Sequence, residues 1–201
     1  MINLDDPIAL HVSAMGPVGR RVTAERDAGW LNVFSGVAHA RHDLDAMNRA
    51  WRAAGKDPAD GYSTCFAWGC ILDPGEPADS PRAKAQAGNY VAASIHNFME
   101  HAEHGGSGIG RLVGATAEGA LGEAVEKYKR LYARYTPADA RYLTLHRGHV
   151  LFLRADEEPI ITAELMRRYT MTGTEDEVVG WVRDLGEAGY SQVTLQITPG
   201  H

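Results

Sequence analysis

The sequence predicts an α/β fold built on a parallel sheet, because four short strand patterns occur along it and helical patterns separate them. A second observation is the length of 201 residues, which accommodates one domain over 1–201. A third is the composition, 44% hydrophobic and 23% charged, which is typical of a globular protein. The predicted strands cover 8–13, 30–34, 64–72 and 193–197.

Helical patterns follow the first three strands. The first helix, over about 17–26, begins at Pro17, and the second, over about 43–54, takes Asp43 as its N-cap. The last helix begins with a capping box formed by Thr174 and Glu177 and ends at Gly189. A large helical insertion over about 80–170 precedes the last strand. Its predicted helices cover 80–101, 117–134, 138–146 and 159–169, with a mobile glycine-rich stretch at 105–110.

Charge and hydropathy exclude two classes of partner. Lys and Arg total 20 against 26 Asp and Glu, giving a net charge of −6 without a basic block, so we expect no nucleic acid. The apolar run 65–72 is far shorter than the roughly 20 residues of a membrane helix, so we expect no membrane. Asp5 and Asp6 are atypical of a signal peptide, and only two cysteines occur. These features favour a cytoplasmic protein.

Three of the four strands alternate apolar and polar residues, although strands buried on both faces normally read as continuous apolar runs. If the apolar residues pack under helices, the polar residues line the lumen of a barrel that holds a polar ligand. The alternative is that these are hydrogen-bonded polar groups in a core. The candidate lumen residues are His11, Ser13, Asn32, Gln196 and Thr198.

Four segments resemble, in order, the luciferase-like monooxygenase superfamily. They are the strand and turn over 8–17, Asp27-Ala28-Gly29-Trp30-Leu31, Ala53-Ala54-Gly55-Lys56-Asp57-Pro58, and the closing helix and strand from Thr172 through Tyr190. The family's fold is a (β/α)₈ barrel of the TIM type, and these strands resemble its fifth to eighth. The resemblance therefore implies the C-terminal half of a barrel.

The resemblance also implies a function. Family members are flavin- or deazaflavin-dependent oxidoreductases and monooxygenases that act on small molecules with FMN or coenzyme F-420. For this chain it implies part of such an enzyme, completed by a homodimer or by a separate N-terminal half-barrel. The alternative is a half-barrel that assembles without catalysing a reaction.

The turn Ser13-Ala14-Met15-Gly16-Pro17 is the candidate phosphate site, since it joins a strand end to a helix N-terminus whose N–H groups attract anions. The family uses this turn to hold the cofactor phosphate. The alternative is a tight loop that needs Gly16 for its geometry. Arg20 and Arg21, one turn into the helix, are candidate partners of an acidic cofactor tail or solvated residues.

Two groups of histidines occur in the predicted insertion. His146, Arg147 and His149 are candidate substrate-binding residues, and the alternative is an ordinary helix end that stops at Gly148. His96, His101 and His104 do not share a helix face, so we predict no metal site. The sequence identifies no catalytic residue.

Overall fold

The computed structural model describes residues 8–104 and 118–196, and the predicted parallel sheet lies within them. β1 pairs with β2, β2 with β3, and β3 with both β4 and β5, always in parallel. The sequence pattern does not predict β4, because three residues are too few to show an alternation. The strands are β1 (His11–Ser13), β2 (Gly29–Val33), β3 (Ser63–Ile71), β4 (Met171–Gly173) and β5 (Gln192–Gln196).

The helices follow the predicted order. Those of the sheet are α1 (Pro17–Glu25), α2 (Val37–Ala53) and α8 (Glu175–Ala188). Those of the insertion are α3 (Pro81–Ala83), α4 (Asn89–His104), α5 (Gly119–Tyr132), α6 (Arg141–Leu145) and α7 (Ala163–Tyr169), with a π-helical turn, Lys84–Gly88, between α3 and α4. Within 8–104 and 118–196, no helix is long and apolar enough to cross a membrane. The predicted glycine-rich stretch 105–110 and Thr198 lie outside the described residues.

The two predicted helix caps have different outcomes. Both hydrogen bonds of the capping box are present at the start of α8, where Thr174 accepts from the Glu177 N–H and Glu177 accepts from the Thr174 N–H. The prediction for α2 is wrong, because this helix begins six residues earlier, after Gly36. Asp43 therefore lies inside α2, where its carboxylate forms ion pairs instead of a cap.

Strand order and helix placement identify the sheet as a barrel segment. Strands β1, β2, β3 and β5 are neighbours in this order, and the short β4 pairs with the last three residues of β3. A doubly wound sheet instead reverses its strand order at a switch point. Helices α1, α2 and α8 all contribute to one core on one face of the sheet. A sheet that carries its crossover helices on one face curves around the other, as in a (β/α)₈ barrel.

The outer face of the sheet, which these helices cover, includes Asn32. A lumen position for Asn32 would place the alternate residues Leu31 and Val33 under the helices, but these two face inward, and Trp30 and Asn32 are buried under the helices. The prediction that Asn32 faces the lumen is therefore wrong. Burial of the large Trp30 indole sets the register, and its Nε1 donates a 2.8 Å hydrogen bond to the Ala14 carbonyl.

A second core lies on the inner face of β3. Trp68 stacks on Tyr90 of the insertion with the ring centroids 4.1 Å apart, and Phe66 packs edge-on against Trp68. Helices α4, α5 and α7 complete this core. The insertion therefore covers part of the face that the sequence predicts to be a lumen.

Candidate functional site

The turn between β1 and α1 is tightly packed. Ala14 is buried, and a Cβ added at Gly19 would lie 3.0 Å from the Ala14 Cβ, so the first turn of α1 approaches the loop closely. Gly16 is the N-cap and has an extended conformation (φ −103°, ψ 166°), and no side chain caps this helix. The first N–H groups of a nine-residue helix are therefore available to an anion that approaches the turn.

A cavity of about 160 Å³ lies beside this turn, at the C-terminal ends of β1 and β2. Active sites of parallel barrels collect at this end of the strands. The cavity lies between the sheet and the insertion, because residues from β2, α2, α4 and the loop after α6 line it. Its polar lining residues include Asn32, Ser35, His39, Asp43, Ser94, Asn97 and His149, and Met15 contributes from the turn.

A larger cavity of about 510 Å³ lies at the other end of the strands. It is lined by Gly29 at the start of β2 and by Tyr62 immediately before β3, together with Trp51 and Lys56. The N-terminal ends of barrel strands carry stability rather than catalysis. We therefore take the smaller cavity as the candidate site.

Asp43 is the electrostatic centre of the candidate site. Its Oδ1 lies 2.6 Å from Arg20 Nη2, and its Oδ2 lies 3.2 Å from His39 Nε2. Burial alone would raise the pKa of Asp43, but its hydrogen bond and electrostatic interaction with His39, together with the charge of the Arg20 guanidinium, outweigh burial, and the pKa is lowered. Asp43 is therefore a paired carboxylate at neutral pH, and Arg20 is its partner rather than a solvated residue.

Asn32 links the sheet to this ion pair. Its Nδ2 donates to the Tyr190 hydroxyl over 2.9 Å and to Asp43 Oδ2 over 3.4 Å. Tyr190 in turn donates to the Ala40 carbonyl over 2.9 Å. The Asn32 Oδ1 is buried without a hydrogen-bond partner among the described residues, so one acceptor beside the cavity is left for a ligand or a water.

The other predicted cofactor residues lie apart from the cavity. His11 and Ser13 are exposed on β1, and the His11 ring contacts Tyr62 at the N-terminal end of β3. Gln196 is the last described residue of β5 and is half-buried. By their register with β2 and β3, all three face the inner side of the sheet, as predicted. Their contact with a cofactor stays a prediction.

The predicted substrate-binding cluster divides into two. His149 lines the cavity, and its Nδ1 lies 3.4 Å from His146 Nδ1. Arg147 lines a separate cleft with Phe152 and Arg154. The structure therefore brings the two imidazoles together and places the guanidinium elsewhere.

Sequence reasoning missed His39, Asp43 and the polar residues of α4. A histidine four residues before an aspartate lies on the same face of a helix, so the His39–Asp43 pair was detectable had α2 been predicted from Val37. Ser94 and Asn97 had no such signal, because only tertiary packing brings α4 over the end of β2.

Comparison with known proteins gives a likeness of fold. No family model and no curated protein matches the sequence. Coenzyme F-420 dependent tetrahydromethanopterin reductase from Methanopyrus kandleri superposes with a TM-score of 0.56 at 14% identity, over 93% of this chain and 44% of that one. An F-420-dependent secondary alcohol dehydrogenase, in complex with an F-420–acetone adduct, gives a TM-score of 0.47 at 17% identity, over 95% and 43% of the two chains.

A third similar structure is a type II Baeyer–Villiger monooxygenase with FMN, the oxygenating constituent of 3,6-diketocamphane monooxygenase from Pseudomonas putida, with a TM-score of 0.39 at 14% identity over 94% and 41%. The chain thus spans 41–44% of the length of these structures. The likeness to the reductase confirms the predicted fold class, an α/β fold with parallel strands that corresponds to part of a larger barrel.

Proposed function

We propose that this chain forms part of a flavin- or deazaflavin-dependent oxidoreductase or monooxygenase, in which it binds the cofactor phosphate and contributes one wall of the active site. The observation that carries the proposal is the uncapped N-terminus of α1, which opens beside the cavity at the C-terminal ends of parallel strands. The fold of the reductase that depends on coenzyme F-420 supports the same assignment.

The turn fits a phosphate in chemistry and in charge. The residues Ser13, Ala14 and Gly16 are small enough for an anion to approach the backbone, and the positive end of the helix dipole favours it. Because Arg20 is held by Asp43, we assign the phosphate to the backbone N–H groups and not to this guanidinium. Pairing also keeps the Asp43 charge from repelling the phosphate.

The bound cofactor would supply hydride or oxygen chemistry toward a small-molecule substrate. The residues of this chain would hold it. The inner face of the sheet presents Ser13, Thr194 and Gln196 for hydrogen bonds to polar groups, and residues of the insertion line the cavity at the end of β2. We assign no acid or base catalyst to this chain.

Substitution of the N-cap tests the proposal. The extended backbone at Gly16 suits Asp and Ser, which are both good N-caps, so both variants should fold. Gly16→Asp places a carboxylate on the N–H groups that would bind phosphate, whereas Gly16→Ser adds a neutral cap. We expect about tenfold or weaker binding of FMN or coenzyme F-420 by Gly16→Asp, since a charge-assisted hydrogen bond contributes about 1.5–3 kcal/mol. Gly16→Ser should bind within about threefold of wild type.

Binding is measured by fluorescence titration with each cofactor separately. Failure of the wild-type chain to bind either cofactor, at every oligomeric state observed, would refute the proposal. Equal loss in both variants would show that the cap alters the turn and would move the phosphate site elsewhere.

A second candidate function is assembly of a half-barrel without catalysis, and the sheet edges favour it. Within the described residues, β1 pairs only with β2 and β5 only with β3, and open edges favour pairing with another chain. The exposed apolar side chains Leu10 and Leu195 lie at these two edges. Light scattering during size-exclusion chromatography distinguishes the outcomes: a dimer that binds no cofactor supports this candidate, and a monomer contradicts it.

A further inference from the structure

The geometry points to a metal site that the sequence did not predict. We propose that His96, His146 and His149 bind a divalent transition-metal ion of the zinc type. Each imidazole offers one nitrogen, and these three nitrogens lie within 4.8 Å of one another. The proposal is independent of the proposed cofactor function, because it depends only on the insertion.

His96 is the buried ligand. Its ring is 3% exposed and packs edge-on against Tyr128, and its Nε2 lies 2.8 Å from Glu157 Oε1. A carboxylate only accepts hydrogen bonds, so Nε2 donates to Glu157, and in the neutral imidazole Nδ1 is the nitrogen left to bind a metal ion. The Nδ1 atom is buried and has no hydrogen-bond partner among the described residues. The centroid of the His96 ring lies 5.9 Å from that of His146 and 6.2 Å from that of His149. A metal ion bound among these three rings would satisfy the unpartnered nitrogen.

Glu157 supplies the outer-shell support that metal-binding histidines require. Metal-ligating histidines usually donate their second N–H to a carboxylate, which fixes the tautomer and the ring orientation. Glu157 is itself held, because its Oε2 accepts from the Arg154 backbone N–H over 3.2 Å and its Oε1 lies 3.4 Å from Arg154 Nη2. The Glu157 carboxylate therefore has a fixed position behind His96.

His146 and His149 complete the donor set. Their Nδ1 atoms are 3.4 Å apart, close to the roughly 3.3 Å that separates two nitrogens bound to a tetrahedral zinc ion at about 2.0–2.1 Å. Gly148, between them, adopts a left-handed conformation (φ 81°), and a Cβ there would lie 2.6 Å from the Phe152 ring. The glycine thus permits the turn that brings these two rings together, with their centroids 5.1 Å apart.

Three imidazoles define the class of ion. Neutral histidine nitrogens favour zinc, cobalt, nickel and copper over calcium and magnesium, which prefer oxygen ligands. A set of three protein ligands leaves a fourth position for water or another ligand atom. His149 also lines the cavity that Asn32 and Asp43 line, so the proposed metal site is next to the candidate functional site.

The prediction of no metal site considered only His96, His101 and His104, which do not share a helix face. The structure instead joins His96 on α4 to the turn after α6, some 50 residues further along the chain. Sequence spacing alone does not reveal such a set.

The test uses the full chain, freed of metal with a chelator and titrated with Co²⁺ and Zn²⁺. We expect one equivalent of Co²⁺ to give the visible absorption of a four-coordinate site, Zn²⁺ to displace it, and Zn²⁺ to raise the Tm. His149→Ala, at an exposed position, should weaken binding at least 100-fold. His42→Ala removes another exposed histidine outside the cluster and should bind as wild type does.

Glu157→Gln is the test of the outer shell. Gln keeps one acceptor oxygen but replaces the other with an NH₂ group, which can only donate, so this variant loses one of the two hydrogen bonds that Glu157 accepts. It should weaken Zn²⁺ binding about 10–100-fold. Absence of stoichiometric binding by the wild-type chain would overturn the proposal, as would binding that His149→Ala leaves unchanged. Circular dichroism of each metal-free variant separates loss of the site from loss of the fold.

Discussion

The ion pair between Asp43 and Arg20 gives the sharpest test of how the candidate site is held. Asp43→Asn keeps the shape of the side chain but removes the charge that Arg20, at 2.6 Å, and His39, at 3.2 Å, both approach. The side chains of Asp43 and Arg20 are 9% and 12% exposed, so the remaining guanidinium would be left largely buried without a counter-charge. Breaking one partner of a buried pair costs about 3–5 kcal/mol, and we expect a loss near 3 kcal/mol.

Urea unfolding measures this loss, and Asp45→Asn is the matched control. Asp45 lies on the same helix but is exposed, so its substitution should change the free energy of unfolding by less than about 0.5 kcal/mol. A double-mutant cycle with Arg20→Met should show that the two losses are not additive, because either substitution breaks the same pair. Additive losses, or a loss for Asp43→Asn below about 1 kcal/mol, would refute this account of the site.

The pH dependence of the same variant follows from the direction of the Asp43 pKa shift. The pKa is lowered in the folded chain from its ordinary value of 3.8, so the unfolded state binds this proton first as the pH falls. The charged Asp43 therefore stabilises the fold above about pH 3.8, and this stabilisation is lost as the pH falls through the folded pKa. The stability difference between wild type and Asp43→Asn should shrink over that acidic range.

Two further predictions address the sheet. Gly69→Ala should destabilise the fold by about 1–3 kcal/mol, because its Cβ would meet the Met171 backbone oxygen where β3 pairs with β4. Gly186→Ala in α8 meets nothing within 4 Å and should stabilise the fold by about 0.5–1 kcal/mol. Urea unfolding gives both values, and equal effects would contradict the pairing of β3 with β4. Cys65 is fully buried, and burial raises the pKa of its thiol to about 12, so a thiol reagent at pH 8 should modify it only after unfolding; rapid modification of the native chain would contradict its place in the core.

The sequence predicted those parts of the fold that local chemistry determines. Pro17 at the start of α1 and the Thr174 capping box of α8 act within one helical turn, and both helices begin where expected. The start of α2 was misplaced because Asp43 is as typical of an N-cap as of a buried ion pair, and only its distance to Arg20 decides between the two. The candidate site was therefore predictable at the turn over Ser13–Pro17, and not at its electrostatic centre.

The difference between the strand patterns also predicts which strands are covered on the inner face of the sheet. An alternating pattern on β1 and β5 and a continuous apolar pattern on β3 predict different coverage along one sheet. The structure has this difference. The insertion packs on Phe66 and Trp68 of β3 and leaves His11 and Ser13 exposed on β1.

Coverage of the inner face therefore ends near the cavity, between the insertion and the turn over Ser13–Pro17. Met15 of the proposed phosphate turn and His149 of the proposed metal site both line this cavity. Because the two sites use different elements, Gly16→Asp should leave Zn²⁺ binding unchanged and His149→Ala should leave the phosphate site intact. Loss of both cofactor binding and Zn²⁺ binding in either variant would contradict the independence of the two proposed sites.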